Sequence, residues 1–295
     1  MTPKIVTSFI GGEWVEPNES SHKIKIIHPA DEQHISTLYE ADTNEVSNAA
    51  ETAKKTFDSG VWSNASVDDR KSVLLAIKDL IIENKEEIAE QEVMNTGAPI
   101  TQAYGRQIPR SAMNFEFFAE FISQASSPVF DQNPDYITYV RREPIGVAGL
   151  IAPWNAPMAL ATMKIAGAIA FGNSCVLKPS ELAPATSRVL KELIDSVFPQ
   201  NMATVIEGDA GIAKYLLDKK WDYIFFTGST RIGKIIAEKA AKNLTPITLE
   251  LGGKSPCIVD SGVDIDKVAK RIVSGKFVNC GQTCISRLYC CQSTC

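Results

Sequence analysis

Short apolar runs alternate with helix-like segments between residues 147 and 250, and this alternation limits the fold more than any other feature of the sequence. The predicted strands are Val147–Ile151, Ser174–Lys178, Ala203–Ile206, Tyr223–Thr227 and Pro246–Glu250, and the predicted helices lie near 157–171, 185–197, 210–219 and 231–242. Such runs are typical of strands that are covered on both faces. The alternation therefore predicts an α/β fold built on a doubly wound parallel sheet with right-handed crossovers.

Polar segments follow these strands at the points where the strands end. They are Pro153-Trp154-Asn155, Lys178-Pro179-Ser180-Glu181, Gly228-Ser229-Thr230 and Glu250-Leu251-Gly252-Gly253. Open parallel sheets bind ligands in the crevice beyond the carboxyl ends of their strands. The sequence therefore predicts that its candidate functional residues meet at one edge of the sheet.

The composition is that of a globular protein long enough for about two domains. The chain has 295 residues, of which 44% are hydrophobic and 22% are charged, and its net charge is −5. This acidic balance gives no electrostatic reason to expect binding to nucleic acid or to an anionic membrane. The uncharged run from Pro144 to Met163 is long enough to cross a bilayer, but prolines and Trp154-Asn155 interrupt it. We predict a buried strand, a turn and a buried helix there.

Seven cysteines are present, and five of them follow residue 279. An odd and crowded set does not fit a disulfide framework and indicates a reducing compartment, so a cytoplasmic location is expected. Zinc binding through Cys280 and Cys284 would need further ligands, and the three histidines all lie near the N-terminus. The sequence predicts no metal site.

The first half of the chain shows helical periodicity. Helices are predicted over 44–58, from Ser66 to about Asn95, and over about 100–123. Ser66 is the expected N-cap of the second helix, because Asp69 follows three residues later. The third helix carries an aromatic stripe that predicts core packing, formed by Phe115, Phe117, Phe118 and Phe121. Turn signals around short extended pieces mark residues 126–146 as an excursion between two parts of one domain.

The segment from Gly228 to Lys234 nearly matches the phosphate-binding loop G-x-x-x-x-G-K-[ST]. Ile235 replaces the hydroxyl residue that would hold magnesium, so nucleotide hydrolysis is not predicted. Ser229 and Gly233 still belong to a turn that opens a helix, where free N–H groups and the helix dipole favour a phosphate. An ordinary strand-to-helix turn explains the same residues equally well.

Three further side chains have both a chemical and a structural interpretation, and a fourth has a chemical one. Lys178 and Glu181 can hold the hydroxyls of a ribose, or they can form a surface ion pair. Cys284 can be a nucleophile or one more buried cysteine, which is the commoner role of a free thiol. Glu250 precedes two glycines, and these leave its carboxylate room to reach into a cavity.

Together, five segments resemble the aldehyde dehydrogenase superfamily, and they occur in the family's order. They are Ala152-Pro-Trp-Asn155, Gly172-Asn-Ser-Cys-Val-Leu-Lys-Pro-Ser-Glu181, Phe226-Thr-Gly-Ser-Thr230, Leu249-Glu-Leu-Gly-Gly-Lys-Ser-Pro256 and Gly281-Gln-Thr-Cys284. The resemblance implies a Rossmann-like dinucleotide-binding domain over 1–125 and 147–250, with an oligomerisation excursion over 126–146. Residues 251–295 would be the incomplete start of a second α/β catalytic domain.

The resemblance also implies a reaction, the oxidation of an aldehyde to a carboxylic acid with hydride transfer to NAD(P). Cys284 would attack the aldehyde carbon as a thiolate, which gives first a thiohemiacetal and then a thioester. The Asn155 side-chain amide and the Cys284 N–H would stabilise the oxyanion. Glu250 would activate the water that releases the acid.

The implied cofactor contacts lie at the ends of the other strands. Lys178 and Glu181 would hold the adenosine ribose, and Ser229 would hold the pyrophosphate. The remaining implied cofactor-binding residues are Trp154, Gly228, Gly233 and Leu251. A carboxylate at Glu181 would repel a 2′-phosphate, so NAD is favoured over NADP.

The chain ends eleven residues after Cys284, before the family's remaining catalytic-domain strands and helices. We therefore expect a truncated form of the family's fold. A catalytically inactive NAD-binding fragment is the alternative to an active enzyme. Full-length members of the family form homo-oligomers and act on small aldehydes, and the sequence does not identify which aldehyde.

Overall fold

The computed structural model has an α/β fold and describes residues 4–198, 201–286 and 288–291. The strands are β1 (Lys4–Val6), β2 (Phe9–Ile10), β3 (Glu13–Trp14), β4 (Lys23–Ile27), β5 (His34–Tyr39), β6 (Val129–Asn133), β7 (Tyr136–Tyr139), β8 (Val147–Ile151), β9 (Ser174–Lys178), β10 (Ala203–Val205), β11 (Tyr223–Gly228), β12 (Ile247–Leu251), β13 (Pro256–Val259) and β14 (Leu288–Cys291). The helices are α1 (Thr43–Asp58), α2 (Val67–Glu83), α3 (Lys85–Thr96), α4 (Ile100–Gln102), α5 (Ile108–Gln124), α6 (Pro157–Ala170), α7 (Ala185–Val197), α8 (Ala210–Leu217), α9 (Thr230–Lys242) and α10 (Ile265–Phe277). A π-helical turn, Ala103–Gln107, and a 3-10 turn, Val278–Gly281, complete the regular structure.

Seven strands form the central sheet in the spatial order β12-β11-β8-β9-β10-β2-β3. The first five are parallel, and β2 and β3 add an antiparallel edge. These five parallel strands and the four helices between them confirm the predicted alternation, with ends that differ from the predicted ones by at most two residues. The doubly wound parallel sheet is therefore confirmed.

Helices cover both faces of the sheet. One core cluster joins the sheet to α2, α5, α6 and α7, and the other joins it to α1, α8 and α9. Along β9, Cys175 and Leu177 belong to the first cluster and Val176 belongs to the second. Because successive side chains of a strand point to opposite faces, both faces of β9 are buried, which explains its uninterrupted apolar run.

The N-terminal segment forms strands that the sequence does not predict. β1 pairs with β5 in parallel and β4 pairs with β5 in antiparallel, which makes a separate three-stranded sheet. β2 pairs with β10, more than 190 residues further along the chain. These strands are short and are held by distant partners, so local periodicity does not reveal them.

The helical predictions for the first half are partly wrong. The Ser66 cap is confirmed, because the Asp69 N–H donates to Ser66 Oγ at 3.1 Å. The single helix predicted from Ser66 to about Asn95 is instead α2 followed by α3. Asn84 ends α2, and its Nδ2 donates to Leu80 O at 2.8 Å. A polar side chain that bonds back to its own helix competes with the next backbone hydrogen bond, which explains the break.

The prediction that the whole aromatic stripe of α5 packs in the core is wrong for two of its members. Phe115 is fully buried, whereas Phe117 and Phe121 are 58% and 49% exposed. Phe117 and Phe121 stack on each other, with ring centroids 6.1 Å apart. Residues four apart share one face of a helix, so this pair forms an apolar strip on the outer side of α5.

Residues 126–146 contain a hairpin of β6 and β7, which pair in antiparallel fashion. Its apolar side chains are exposed, and Val129, Tyr136 and Ile137 are among them. The role of this hairpin in oligomerisation stays a prediction, and so do the domain boundaries.

The run from Pro144 to Met163 forms β8, a turn and the start of α6, as predicted. In the described part of the chain, no helix is both long and apolar enough to cross a membrane.

Candidate active site

The predicted site residues lie where the parallel strands end. Trp154 and Asn155 follow β8, Lys178 is the last residue of β9, Gly228 is the last of β11, and Glu250 is the last but one of β12. Because these strands are parallel neighbours in one sheet, their carboxyl ends share an edge. The sheet thus brings the predicted residues to one side of the molecule.

The Asn155 side chain contacts the loop that carries Cys284. Its Nδ2 donates a hydrogen bond of 2.6 Å to the carbonyl oxygen of Gln282, two residues before Cys284. The Oδ1 atom of Asn155 is buried and accepts no hydrogen bond from the described residues. An amide nitrogen has two N–H donors, so one donor of Asn155 remains for another acceptor.

Asn279 joins the Cys284 loop to the elements around it. Its Nδ2 donates to the backbone carbonyl of Asn155, and its Oδ1 accepts a 2.7 Å hydrogen bond from Gln107 Nε2. Its backbone N–H donates to Gln102 Oε1 at 2.9 Å. Asn279 is buried and has a left-handed backbone with φ of 53°, which Asn adopts more readily than most residues. The sequence does not single it out, because its partners lie more than 120 residues away.

Cys284 is exposed and free of disulfide bonds. A Cβ atom placed on Gly253 would lie 3.6 Å from the Cys284 carbonyl oxygen, so the turn after Glu250 is adjacent to the Cys284 backbone. Glu250 is itself exposed. Cys280 is a second exposed thiol, and its Sγ lies 3.7 Å from the Gly97 carbonyl oxygen. The fold therefore brings Asn155 and the Glu250 turn to the Cys284 loop.

Lys164 is a buried amine beside Glu250 that the sequence does not assign to the site. Its Nζ donates to Thr227 Oγ1 at 2.5 Å and lies 3.8 Å from the centre of the Phe225 ring. Thr227 is the register partner of Glu250. Burial lowers the pKa of Lys164 to about 7, and the attraction of Glu250 opposes this shift. The signal that could have revealed Lys164 is that it is the one charged residue in α6.

Glu92 is a buried carboxyl beneath the same region. Its Oε2 accepts a 3.3 Å hydrogen bond from the Met158 N–H in the first turn of α6, and its Oε1 has no partner among the described residues. Burial raises the pKa of Glu92 to about 8. A carboxyl group at a helix N-terminus satisfies a free N–H there, so Glu92 helps to fix the start of the helix that follows Asn155.

Lys178 and Glu181 lie close together, and the Lys178 side chain is buried, unlike the lysine of an ordinary surface ion pair. Lys178 Nζ is 3.8 Å from Glu181 Oε2 and donates to the Pro179 carbonyl oxygen at 2.5 Å. Burial lowers the pKa of Lys178, although Glu181 and Glu207 oppose this shift. Burial also raises the pKa of the Glu207 carboxyl. The Glu181 carboxylate keeps about a third of its surface exposed, so it remains accessible to a ligand.

Ser229 is the N-cap of α9, and its Oγ accepts a 3.3 Å hydrogen bond from the Ile232 N–H. Close packing explains why glycine occupies positions 228 and 233 of this turn. A Cβ on Gly228 would lie 2.4 Å from Phe226 Cζ, and a Cβ on Gly233 would lie 2.7 Å from Leu251 Cδ2. Packing thus accounts for both glycines and for Leu251, and the phosphate contact of this turn stays a prediction, as does the cofactor role of the 40% exposed Trp154.

Comparison with known protein families identifies the class to which this chain belongs. The model of the aldehyde dehydrogenase family matches residues 14–294. The chain belongs to this family.

Relatives and solved structures agree with this assignment. The chain is 36% identical over 280 residues to a putative aldehyde dehydrogenase, DhaS, of Bacillus subtilis, and the match covers 94% of this chain and 56% of that protein. It is 36% identical to the cytosolic aldehyde dehydrogenase 1 of Rattus norvegicus, covering 95% of this chain and 57% of that one. The structure of betaine aldehyde dehydrogenase from Staphylococcus aureus in complex with NAD+ matches with a TM-score of 0.91, 33% identity and coverage of 96% and 57%. The chain thus spans somewhat more than half the length of these relatives.

Proposed function

We propose that this chain carries the catalytic residues of an NAD-dependent aldehyde dehydrogenase. The observation that carries the proposal is the hydrogen bond from Asn155 to Gln282, which brings a side-chain amide to the loop of an exposed thiol. This pairing occurs at the carboxyl ends of the parallel strands, where open sheets of this kind bind ligands. The match to relatives that are named aldehyde dehydrogenases supports the same reading.

Cys284 is the nucleophile in this proposal. As a thiolate, its Sγ attacks the carbonyl carbon of the aldehyde, and the carbonyl oxygen becomes an oxyanion. The free N–H of Asn155 Nδ2 and the backbone N–H of Cys284 donate to that oxyanion. In other enzymes, loss of one such donor raises the barrier by roughly 2.7–4 kcal/mol.

Glu250 acts in the second half of the reaction. Loss of the aldehyde hydrogen as hydride leaves a thioester on Cys284, and water must attack the thioester carbon. The Glu250 carboxylate accepts a proton from that water, and the thiolate leaves as the acid forms. The position of Gly253 against the Cys284 carbonyl supports this role, because it puts the Glu250 turn beside the nucleophile.

The strand-end residues fit a dinucleotide. NAD supplies the hydride acceptor when it is bound. Glu181 has an accessible carboxylate that can accept hydrogen bonds from ribose hydroxyls, and Lys178 Nζ lies 3.8 Å from its Oε2. Ser229 opens α9, whose N-terminal dipole favours a phosphate. A carboxylate at Glu181 disfavours a 2′-phosphate, which supports NAD rather than NADP.

The experiment is NADH formation, followed by absorbance, by the purified and reduced chain with NAD and a panel of small aldehydes. Cys284→Ser should abolish the signal, whereas the matched variant Cys280→Ser should keep most of it, because both thiols are exposed and only one is the proposed nucleophile. Equal activity in Cys284→Ser would contradict the assignment. NAD binding without NADH from any variant would instead support the inactive NAD-binding form.

A further inference from the structure

We propose that Gln107 is a positioning residue for the candidate active site. It acts through Asn279 and orients the Asn155 amide relative to the Cys284 loop. Gln107 is the last residue of the π-helical turn and is not among the residues that the sequence assigns to the reaction. The proposal rests on the function proposed above, because it concerns the oxyanion donor of that reaction.

Three hydrogen bonds connect Gln107 with Asn155 and with the Cys284 loop. Gln107 Nε2 donates to Asn279 Oδ1 at 2.7 Å, and Asn279 Nδ2 donates to the Asn155 carbonyl oxygen. Asn155 Nδ2 in turn donates to the Gln282 carbonyl oxygen at 2.6 Å. The loop and Asn155 are therefore joined twice, each time by the side chain of one and the backbone of the other.

Gln107 favours one orientation of the Asn279 amide. A side-chain amide accepts at its oxygen and donates at its nitrogen, so its two ends are not interchangeable. Because Gln107 donates to Oδ1, the Asn279 nitrogen faces the Asn155 carbonyl. If the amide turned over, two oxygens would face each other and the contact with Asn155 would be lost. Loss of the Gln107 donor removes one of the two side-chain contacts that select this orientation.

The π-helical turn explains how two glutamines reach the same residue. Gln102 Oε1 accepts from the Asn279 backbone N–H at 2.9 Å, and Gln107 lies five positions further along the chain. In an α-helix, side chains five residues apart point about 140° away from each other. The Ile108 N–H instead bonds to the Ala103 carbonyl oxygen, five residues back, and this wider turn aligns such positions.

The turn is anchored in the core, whereas the thiols of the loop are at the surface. Ala103 and Ile108 lie on either side of the turn residues 104–107, and both are fully buried in the core cluster of α5 and α6. Cys280 and Cys284 are exposed. Reacting groups are held most precisely when rigid elements support them. Gln107 provides such support, because it connects the loop to a packed part of the fold.

Gln107→Met should leave the Cys284 loop folded. Methionine has a side chain of similar length but no N–H donor. The loop keeps two contacts at the end of α3. Gln282 Nε2 lies 3.5 Å from the Thr96 carbonyl oxygen, and Cys280 Sγ lies 3.7 Å from the Gly97 carbonyl oxygen.

The test compares two reactions of the Cys284 thiol in the full chain. In acylation by p-nitrophenyl acetate, the thiolate attacks the ester carbonyl carbon, an oxyanion forms, and p-nitrophenolate leaves with the electron pair of its C–O bond. An oxyanion donor therefore accelerates this reaction. In alkylation by iodoacetamide, the thiolate displaces iodide and no oxyanion forms. The ratio of the two rates reports the oxyanion donor rather than the exposure of the thiol.

Acylation is measured as the burst of p-nitrophenolate that Cys284→Ser lacks, and alkylation as adduct formation at Cys284 by peptide mass analysis. Gln107→Met should lower the ratio of acylation to alkylation about ten-fold, because a hydrogen bond that orients the donor is lost. The matched variant Gln124→Met should keep the wild-type ratio, since Gln124 is exposed at the far end of α5. In the Asn279→Gly background, Gln107→Met should have no further effect.

The outcomes separate this proposal from the proposed function. If Asn155→Ala lowers the ratio and Gln107→Met does not, the positioning role is overturned and the proposed function stands. Equal loss of both rates in Gln107→Met, or a further loss in the Asn279→Gly background, would also overturn the positioning role. A wild-type ratio in Asn155→Ala, or a wild-type burst in Cys284→Ser, would overturn the proposed function and this proposal with it.

Discussion

Replacement of Asn279 tests whether the hydrogen-bond network around the Cys284 loop is what holds that loop in place. The side chain makes two hydrogen bonds, one with Gln107 and one with the Asn155 carbonyl oxygen. A hydrogen bond contributes about 0.5–1.5 kcal/mol, so the loss of both should destabilise the fold by about 1–3 kcal/mol. This is the expected cost of Asn279→Gly, because glycine accepts the left-handed backbone at this position.

Asn279→Ala should cost more than Asn279→Gly. Alanine loses the same two hydrogen bonds and must also hold φ at 53°, where its Cβ is strained by about 1–2 kcal/mol. The expected cost of Asn279→Ala is therefore about 2–5 kcal/mol, the sum of the two effects. In ordinary helices and strands the order is the reverse, since glycine is the more destabilising residue there.

The assay is urea unfolding followed by tryptophan fluorescence, with the free energy of unfolding compared between variants. Cys280→Gly is the matched control, because Cys280 also has a left-handed backbone with φ of 55°. Within the described residues, the side chain of Cys280 contacts only the Gly97 carbonyl oxygen, through its Sγ. This control should be as stable as wild type or slightly more stable. The reasoning is refuted if Asn279→Gly is as stable as wild type, or if alanine proves better than glycine at position 279.

Three other predictions concern buried groups near the site. Burial raises the pKa of Glu92 to about 8, so the free energy of unfolding decreases as pH rises from 4.5 through 8. In urea titrations, Glu92→Gln should therefore be more stable than wild type at pH 9 but not at pH 4. Burial lowers the pKa of Lys164 to about 7, so the free energy of unfolding decreases as pH falls from 10.5 through 7. Lys164→Met should remove this decrease in the same assay. If the pH profile of Lys164→Met matched that of wild type, the burial of the Lys164 amine would be contradicted. Gly228→Ala should destabilise the fold by about 1–3 kcal/mol, because the new Cβ would meet the buried Phe226 ring, and wild-type stability would show that the turn can relax.

The central sheet could be predicted because its signals are local. Each strand from Val147 to Leu251 is a short apolar run, and each of the first four is followed by a segment with helical periodicity. Because ligands bind beyond the carboxyl ends of such strands, the same pattern also located Asn155, Lys178 and Glu250 at one edge. The resemblance to the family then supplied their roles, which the shape of the site supports and experiment must test.

The remaining features depend on contacts between distant parts of the chain. β2 is only two residues long and exists because it pairs with β10. Asn279 acquires its partners from the π-helical turn and from the loop after β8, and no local pattern links these segments. In the sequence, Lys164 is a single charged residue in an apolar helix. Its contact with Thr227, the register partner of Glu250, depends on how the sheet packs against that helix.

The most direct measurement of the central claim is peptide mass analysis of the Glu250→Gln variant after incubation with NAD and an aldehyde. Glu250→Gln removes the proposed base, so the thioester should form and persist. The account predicts one acyl adduct per chain on the peptide that contains Cys284, and much less adduct on the same peptide of wild type. An adduct on Cys280, or NADH turnover by Glu250→Gln at the wild-type rate without any adduct, would contradict the assignment of nucleophile and base.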